Sequence, residues 1–204
     1  MTNFIIQNNL YLMTALAVFV AIFTAVKWPA MPVLQRLVAL LFIGVVLHLW
    51  EEGRFPGGFT DLITNKLGFT ASNPHFGEII TAAYVLGITF IPLFFPRIIF
   101  LAMAPMMLGI LEAIVHVAAI WMFELEIFYS PGMVTAVFVM MPVSIYGITY
   151  AVRQYRIPAH VWLISFLYMF GVLMLSQQIV VRASGMEYSE FLRNVHTAIF
   201  NGEK

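Results

Sequence analysis

The chain has 204 residues, 62% of them hydrophobic and only 10% charged, and its acidic and basic residues balance to a formal net charge of zero. A soluble domain carries about 25% charged residues, and a chain of this size cannot hide so much apolar surface from water, so its solvent is lipid. No basic stripe is present to neutralise phosphates, which argues against nucleic acid as a partner, and the absence of cysteine excludes disulfides and thiolate ligands.

Apolar runs of about 20 residues predict an all-α polytopic bundle of six transmembrane helices, a single integral membrane domain over residues 1–204. The first span covers Leu10 to Val26. It lacks a basic amino-terminal region and a small-residue cleavage site before Lys27, so it reads as a span and not as a cleaved signal. A short connection with Pro29, Pro32 and Arg36 leads to the second span, Leu34 to Trp50. A long polar segment, Gly53 to Gly77, precedes the third span, Ile79 to Phe95. Pro96 and Arg97 make a tight link into the fourth, Ile98 to Phe123, and the fifth and sixth cover Gly132 to Val152 and Ala159 to Val181.

Two further helices are expected at the membrane interface. Phe59, Leu62, Ile63 and Leu67 fall on one face of a short helix, and Phe191, Leu192, Val195 and Ile199 on one face of the tail, residues 184–204. Both either dip toward a site or merely cap the bundle. Orientation is not fixed by charge. Arg54, Lys66, Arg182, Arg193 and Lys204 fall on one side, against Lys27, Arg36, Arg97, Arg153 and Arg156 on the other. Only the short connections favour the second group as cytoplasmic. The expected location is a bacterial-type plasma membrane.

Polar residues inside the runs carry the functional signal. His48-Leu49-Trp50-Glu51-Glu52 closes the second span, and Glu112 and His116 lie within the fourth. Ionisable groups are costly in a bilayer and usually mark an ion path, a metal or a reaction. Spans two and four run in the same direction, so both groups reach one half of the membrane, where Gln177 and Gln178 of the sixth span also arrive. On a helix Glu51 and Glu52 sit at i+3 and i+4 from His48, and Glu112 and His116 are i and i+4. Imidazole and carboxylate at these spacings can hold a divalent cation, zinc or else iron or manganese. The plain alternative is that Glu51 and Glu52 are interfacial charges and Glu112–His116 a structural hydrogen-bonded pair.

Other residues are weaker candidates. His75 is on the site side and reads as a solvated loop residue, although a ligand or lid role is open. His160 starts the sixth span at the opposite surface, His196 lies on the tail, and Glu124 and Glu126 flank a loop. Tyr129-Ser130-Pro131-Gly132 has the composition of a turn, from which the Tyr129 hydroxyl can reach the polar centre.

His48-Leu49-Trp50-Glu51-Glu52 with Pro56-Gly57-Gly58-Phe59, then Glu112-Ala113-Ile114-Val115-His116, then Tyr129-Ser130-Pro131-Gly132, resembles the HXXEE-domain membrane proteins over residues 34–150. The resemblance implies a multi-span domain with a suspected active site at His48, Glu51, Glu52, His116 and Tyr129, and no established reaction. Asn often stands at the place of Glu112 in that pattern, which makes Glu112 either a ligand or an orienting partner of His116.

The function expected first is a metal-dependent hydrolase acting on a lipid or a membrane-anchored peptide. His48, His116 and one of Glu51 or Glu52 would hold the metal, with Glu112 beside them. The other glutamate would be general base toward water, with a slight preference for Glu51 as ligand and Glu52 as base. The Glu-Glu-x-x-x-Arg pattern of the prenyl-protein processing proteases is absent, since Arg54 follows Glu52 by two residues, and five histidines are too few for a membrane desaturase. The second expectation is a proton or metal-ion transporter using the same cluster, disfavoured by the absence of a visible inverted repeat. A non-catalytic scaffold is third. Substrate and oligomeric state are not legible.

Overall fold

A computed structural model of the chain describes residues 2–69 and 74–200. Among these there are helices and no strands, and six helices are long and apolar enough to cross a membrane. After a short leading helix, α1 (Thr2–Gln7), the spans are α2 (Asn9–Ala30), α3 (Val33–Gly53), α5 (His75–Phe94), α6 (Ile99–Met122), α7 (Met133–Gln154) and α8 (Ala159–Ala183). The interfacial helices are α4 (Phe59–Leu67) and α9 (Tyr188–Phe200). The chain is an integral membrane protein of the all-α bundle type, and the six expected spans are present with ends shifted by a few residues.

Local sequence explains where the helices begin and stop. Pro32 and Pro158 stand just before α3 and α8 in extended conformations, where a missing N–H does no harm. Gly68, at φ +65°, stops α4 in the left-handed region that few other residues tolerate. α5 is less regular than its hydropathy suggests. It widens into a π turn over Leu86–Phe90 and tightens over Ile91–Phe94, where Pro92 cannot donate to the ladder. His75 is not in a loop: it sits in the first turn of α5, with Nδ1 3.2 Å from Glu78.

Burial separates central from peripheral spans. More than half of the most apolar stretch of α3 is buried (56%), against 17% for α8. α6 packs on α3, α7 and α8, and α2 packs on α3. The core between them is built from Leu41, Phe42, Val45, Met103, Met106 and Leu108 with Ile88 and Met140. At the site end, Glu78 gathers Asn9, Arg54 and His75 at 3.1–3.2 Å and so ties α2, α3 and α5 together. A second, smaller apolar cluster lies there. Leu62, Ile63 and Leu67 of α4 meet Phe191, Val195 and Ala198 of α9 over Ala119 and Phe123. Asn194 donates to the Leu67 carbonyl at 2.8 Å and caps α4. Both interfacial helices therefore lie on the bundle, but of the tail face expected from sequence only Phe191 and Val195 turn inward, while Leu192 and Ile199 are exposed.

Because lipid gives no hydrophobic drive to helix association, close backbone approach matters more than in water. Gly109 of α6 provides it. A Cβ there would run into Ser144 Oγ and stand 3.1 Å from the Met140 carbonyl oxygen, both on α7. We expect Gly109→Ala to destabilise the bundle by about 1–3 kcal/mol through overpacking, read as a lowered midpoint of thermal unfolding in detergent. An unchanged midpoint would mean that α6 and α7 do not pack through this glycine.

Candidate functional site

α3 and α6 each carry a histidine facing the other, and the α6–α7 loop lies against both. The rings of His48 and His116 are 4.8 Å apart between centroids, at nearly right angles. Both are buried, at 3% and 2% exposure. The two helices that sequence places side by side are thus in contact at the residues of interest.

The loop fixes which nitrogen of each ring is free. Nδ1 of His48 lies 3.0 Å from the Gly132 carbonyl oxygen, which can only accept, so Nδ1 carries the hydrogen. Thr135 Oγ1 shares it at 3.0 Å. Ser130 donates its hydroxyl hydrogen to the His116 carbonyl at 2.7 Å, leaving its oxygen to accept from His116 Nδ1 at 3.3 Å. With Nδ1 so engaged, a neutral ring keeps a lone pair at Nε2 and an imidazolium carries a second hydrogen there, and the two Nε2 atoms are the positions left for a partner. They point to one centre, where two carboxylates also arrive. Glu52 Oε1 is 3.6 Å from His48 Nε2 and 3.4 Å from His116 Nε2, and Glu112 Oε2 is 4.0 Å and 3.8 Å from the same atoms. Lone pairs facing carboxylates repel, so the arrangement calls for positive charge, which a proton on a ring or a cation among the four groups supplies.

The spacing suits a metal ion. Ligand bonds of about 2.0–2.2 Å in a tetrahedral zinc site place neighbouring ligand atoms about 3.3–3.6 Å apart. The ligating atoms of His48, Glu52 and His116 all lie within 4.8 Å of one another. Imidazoles oriented through Nδ1–H by a carbonyl or a hydroxyl are the usual surroundings of metal-binding histidine.

Glu51 does something else. It accepts from the Val134 and Thr135 amides at 3.0 and 2.7 Å, from Thr135 Oγ1 at 2.6 Å and from the Tyr129 hydroxyl at 3.0 Å. The residue expected as ligand thus has both oxygens engaged by the start of α7, and its neighbour Glu52 faces the imidazoles. Tyr129 likewise reaches Glu51 and not the histidines. Burial, then the bond to Glu51 and the charge of Glu51, push its phenol up to about 12, so it stays a donor at neutral pH. Gln177 is exposed and Gln178 half-buried near the end of α8.

Three contributors carry little signal in sequence. Thr135 binds both His48 and Glu51, Ser130 orients His116, and the Phe59 ring of α4 lies 5.9 Å from the His116 ring. Ser130 and Gly132 are inside the Tyr-x-Pro-Gly turn, but nothing in that turn says which carbonyl would face which ring.

Residues 39–147, just over half of the chain, match the family described as "Protein of unknown function with HXXEE motif", and the chain belongs to that family. No match is found among curated proteins or among solved structures.

Gly132, at φ +99°, is the floor of the site. A Cβ there would stand 2.6 Å from His116 Cε1, 2.7 Å from His48 Cε1 and 2.9 Å from Glu52 Cγ. Overpacking and the strained dihedral together predict a loss of about 2–4 kcal/mol for Gly132→Ala. Adding His48→Ala should recover part of it, because one of the three close contacts of the new methyl is then removed. The check is a double-mutant cycle on unfolding midpoints, and strictly additive losses would contradict the described contact.

Proposed function

We propose that this HXXEE-family protein is a metal-dependent hydrolase of a lipid or membrane-anchored substrate, with His48, His116 and Glu52 as ligands of zinc, iron or manganese. The observation that carries the reading is the convergence of ligand atoms of His48, His116 and Glu52 within 4.8 Å of one another, with Nδ1 of each ring held by the α6–α7 loop. Two histidines and a glutamate with an open position form a known catalytic zinc pattern. When bound, such an ion acidifies a coordinated water and polarises a carbonyl.

The chain's own groups divide the rest of the work. Glu112 lies slightly farther from both imidazoles than Glu52, and its side chain keeps 23% of its surface open. It is placed to take a proton from the attacking water as that oxygen bonds to the carbonyl carbon, and to return the proton to the leaving alcohol or amine as the acyl bond breaks. Glu51 and Tyr129 hold the α6–α7 loop so that Gly132, Ser130 and Thr135 keep the rings aimed. This assigns the ligand role to Glu52 and the base role to Glu112, in place of Glu51 and Glu52.

Depth supports a lipid-like substrate. His48 is five residues from the end of α3, or about 7–8 Å at the helical rise. The reacting bond would lie within the membrane-spanning segments, where a lipid-like molecule reaches it from the bilayer. The alternative, ion transport through the same cluster, is less well supported. Beyond Glu112 the deeper turns of α3 and α6 are apolar, with Phe42, Leu41, Met103 and Met106 filling the core.

Metal content of protein purified without a histidine tag tests the reading. Near-stoichiometric transition metal is expected, with affinity falling at least about tenfold in His48→Ala, His116→Ala and Glu52→Gln. Glu112→Gln should keep the metal and lose turnover of acyl lipids by about 100-fold or more. His160→Ala should match the unsubstituted protein. Metal-free protein, or equal metal loss in all variants, would overturn the assignment.

A further inference from the structure

The two ends of the bundle differ in charge. The end away from the His48–His116 centre consists of three short links, residues 31–32, 95–98 and 155–158, and the helix turns beside them. Gln35 donates its side-chain N–H to the Leu93 carbonyl there at 2.6 Å and ties the first link to the second. Residues 27–36, 91–102 and 151–162 hold five cations, Lys27, Arg36, Arg97, Arg153 and Arg156, and no Asp or Glu. Among the described residues none of the five forms an ion pair, and all but the half-buried Arg36 are exposed. At the end that holds the centre the situation is reversed. Arg54 pairs with Glu78 at 3.2 Å, and exposed carboxylates such as Asp61, Glu124 and Glu190 stand among the basic residues.

Helix electrostatics do not account for this placement. A cation is favourable near a helix C-terminus and unfavourable near an N-terminus. Lys27 and Arg153 obey that rule in the last turns of α2 and α7. Arg36 is in the first turn of α3, and Arg97 and Arg156 lie just before α6 and α8. These three add positive charge to helix ends that are already positive. An anion from outside would be met by guanidinium groups and helix N-termini together. Arg36 is also held ready for such a contact. Its Nε donates to the Met31 carbonyl at 2.9 Å, and its guanidinium lies 5.0 Å from the centre of the Trp28 ring. Its two Nη groups have no hydrogen-bond partner among the described residues.

We propose that this end is a binding face for the phosphate groups of anionic phospholipids. Each link joins two spans by only two to four residues, so the cations stay at the membrane edge. Trp28 and Tyr155, both exposed at this end, are residue types that favour the headgroup level. The occupant at that level is a lipid headgroup. Five cations with no carboxylate among them select an anionic headgroup over a zwitterionic one, at about a fivefold gain in affinity for each Lys or Arg. The face lies at the other end from the His/Glu centre, and its lipid binding does not depend on the hydrolase reading.

Dioctanoyl phosphatidylglycerol and dioctanoyl phosphatidylcholine share their tails and differ in headgroup charge. Their dissociation constants are measured on the full chain in a non-ionic detergent, together with the unfolding midpoint. Phosphatidylglycerol should bind at least about tenfold more tightly than phosphatidylcholine. Arg97→Gln should weaken it about fivefold, and Arg153→Gln combined with Arg156→Gln about 25-fold. Phosphatidylcholine binding and the midpoint should not change, because these side chains are exposed. Arg153→Lys combined with Arg156→Lys should keep the affinity, since the charge remains. Arg182→Gln combined with Arg193→Gln, at the end that holds the centre, should keep it too. Equal binding of the two lipids would overturn the proposal, as would equal weakening by the two Gln pairs or by the Lys and Gln pairs. Displacement of phosphatidylglycerol by millimolar inorganic phosphate at constant ionic strength would make the face one for a free anion and overturn the lipid assignment.

Discussion

A carboxylate inside a bilayer must be met by donors or by a cation, and Glu51 shows how that requirement organises this protein. Its oxygens accept two backbone amides and two hydroxyls from the loop and the first turn of α7. The end of α3 thereby caps the beginning of α7, where unsatisfied N–H groups and the positive end of the helix dipole favour a negative charge. Once that contact is made, the Gly132 carbonyl lies under His48 and Ser130 beside His116. The aim of both rings follows from one ion-to-backbone contact between helices far apart in sequence.

The second constraint is space. The α3–α6–α7 packing is close because small residues lie at the contacts, Gly109 against Ser144 and Gly132 against both imidazoles. Substituting bulk here would separate the helices that bring the two imidazoles and Glu52 together. Above them, α4 and α9 share an apolar cluster with Ala119 and Phe123, and Phe59 closes against the His116 ring. The buried centre and the interfacial layer are therefore one packed unit at the end of α6.

Much of this was legible in the sequence, and the reasons differ by feature. The spans could be read because lipid demands long apolar runs, and α4 because its four apolar positions share one helical face. The meeting of His48 with His116 followed from span direction and the cost of stranded polar groups. Which of Glu51 and Glu52 faces the imidazoles was not legible. Adjacent residues on a helix point about 100° apart, and which one faces a neighbour depends on the rotation of α3 against α7, set by tertiary contacts. Thr135 escaped for the same reason, being an ordinary apolar-span threonine until the α7 start is placed against Glu51. The π turn in α5 escaped because hydropathy reports composition and not helical pitch. His75 shows a smaller miss of the same kind, since a residue just after Pro74 reads as loop although proline readily opens a helix.

That π turn has a consequence for how the bundle is assembled. The last span, α8, is the least enclosed, and apolar faces in lipid tolerate rotation about the helix axis. Where the ladder of α5 widens, the Gly87 carbonyl is open to the Tyr168 hydroxyl of α8. This bond gives the helix an azimuth, a single angular setting that greasy contact alone would leave undefined. The irregularity in one helix is the alignment key for another.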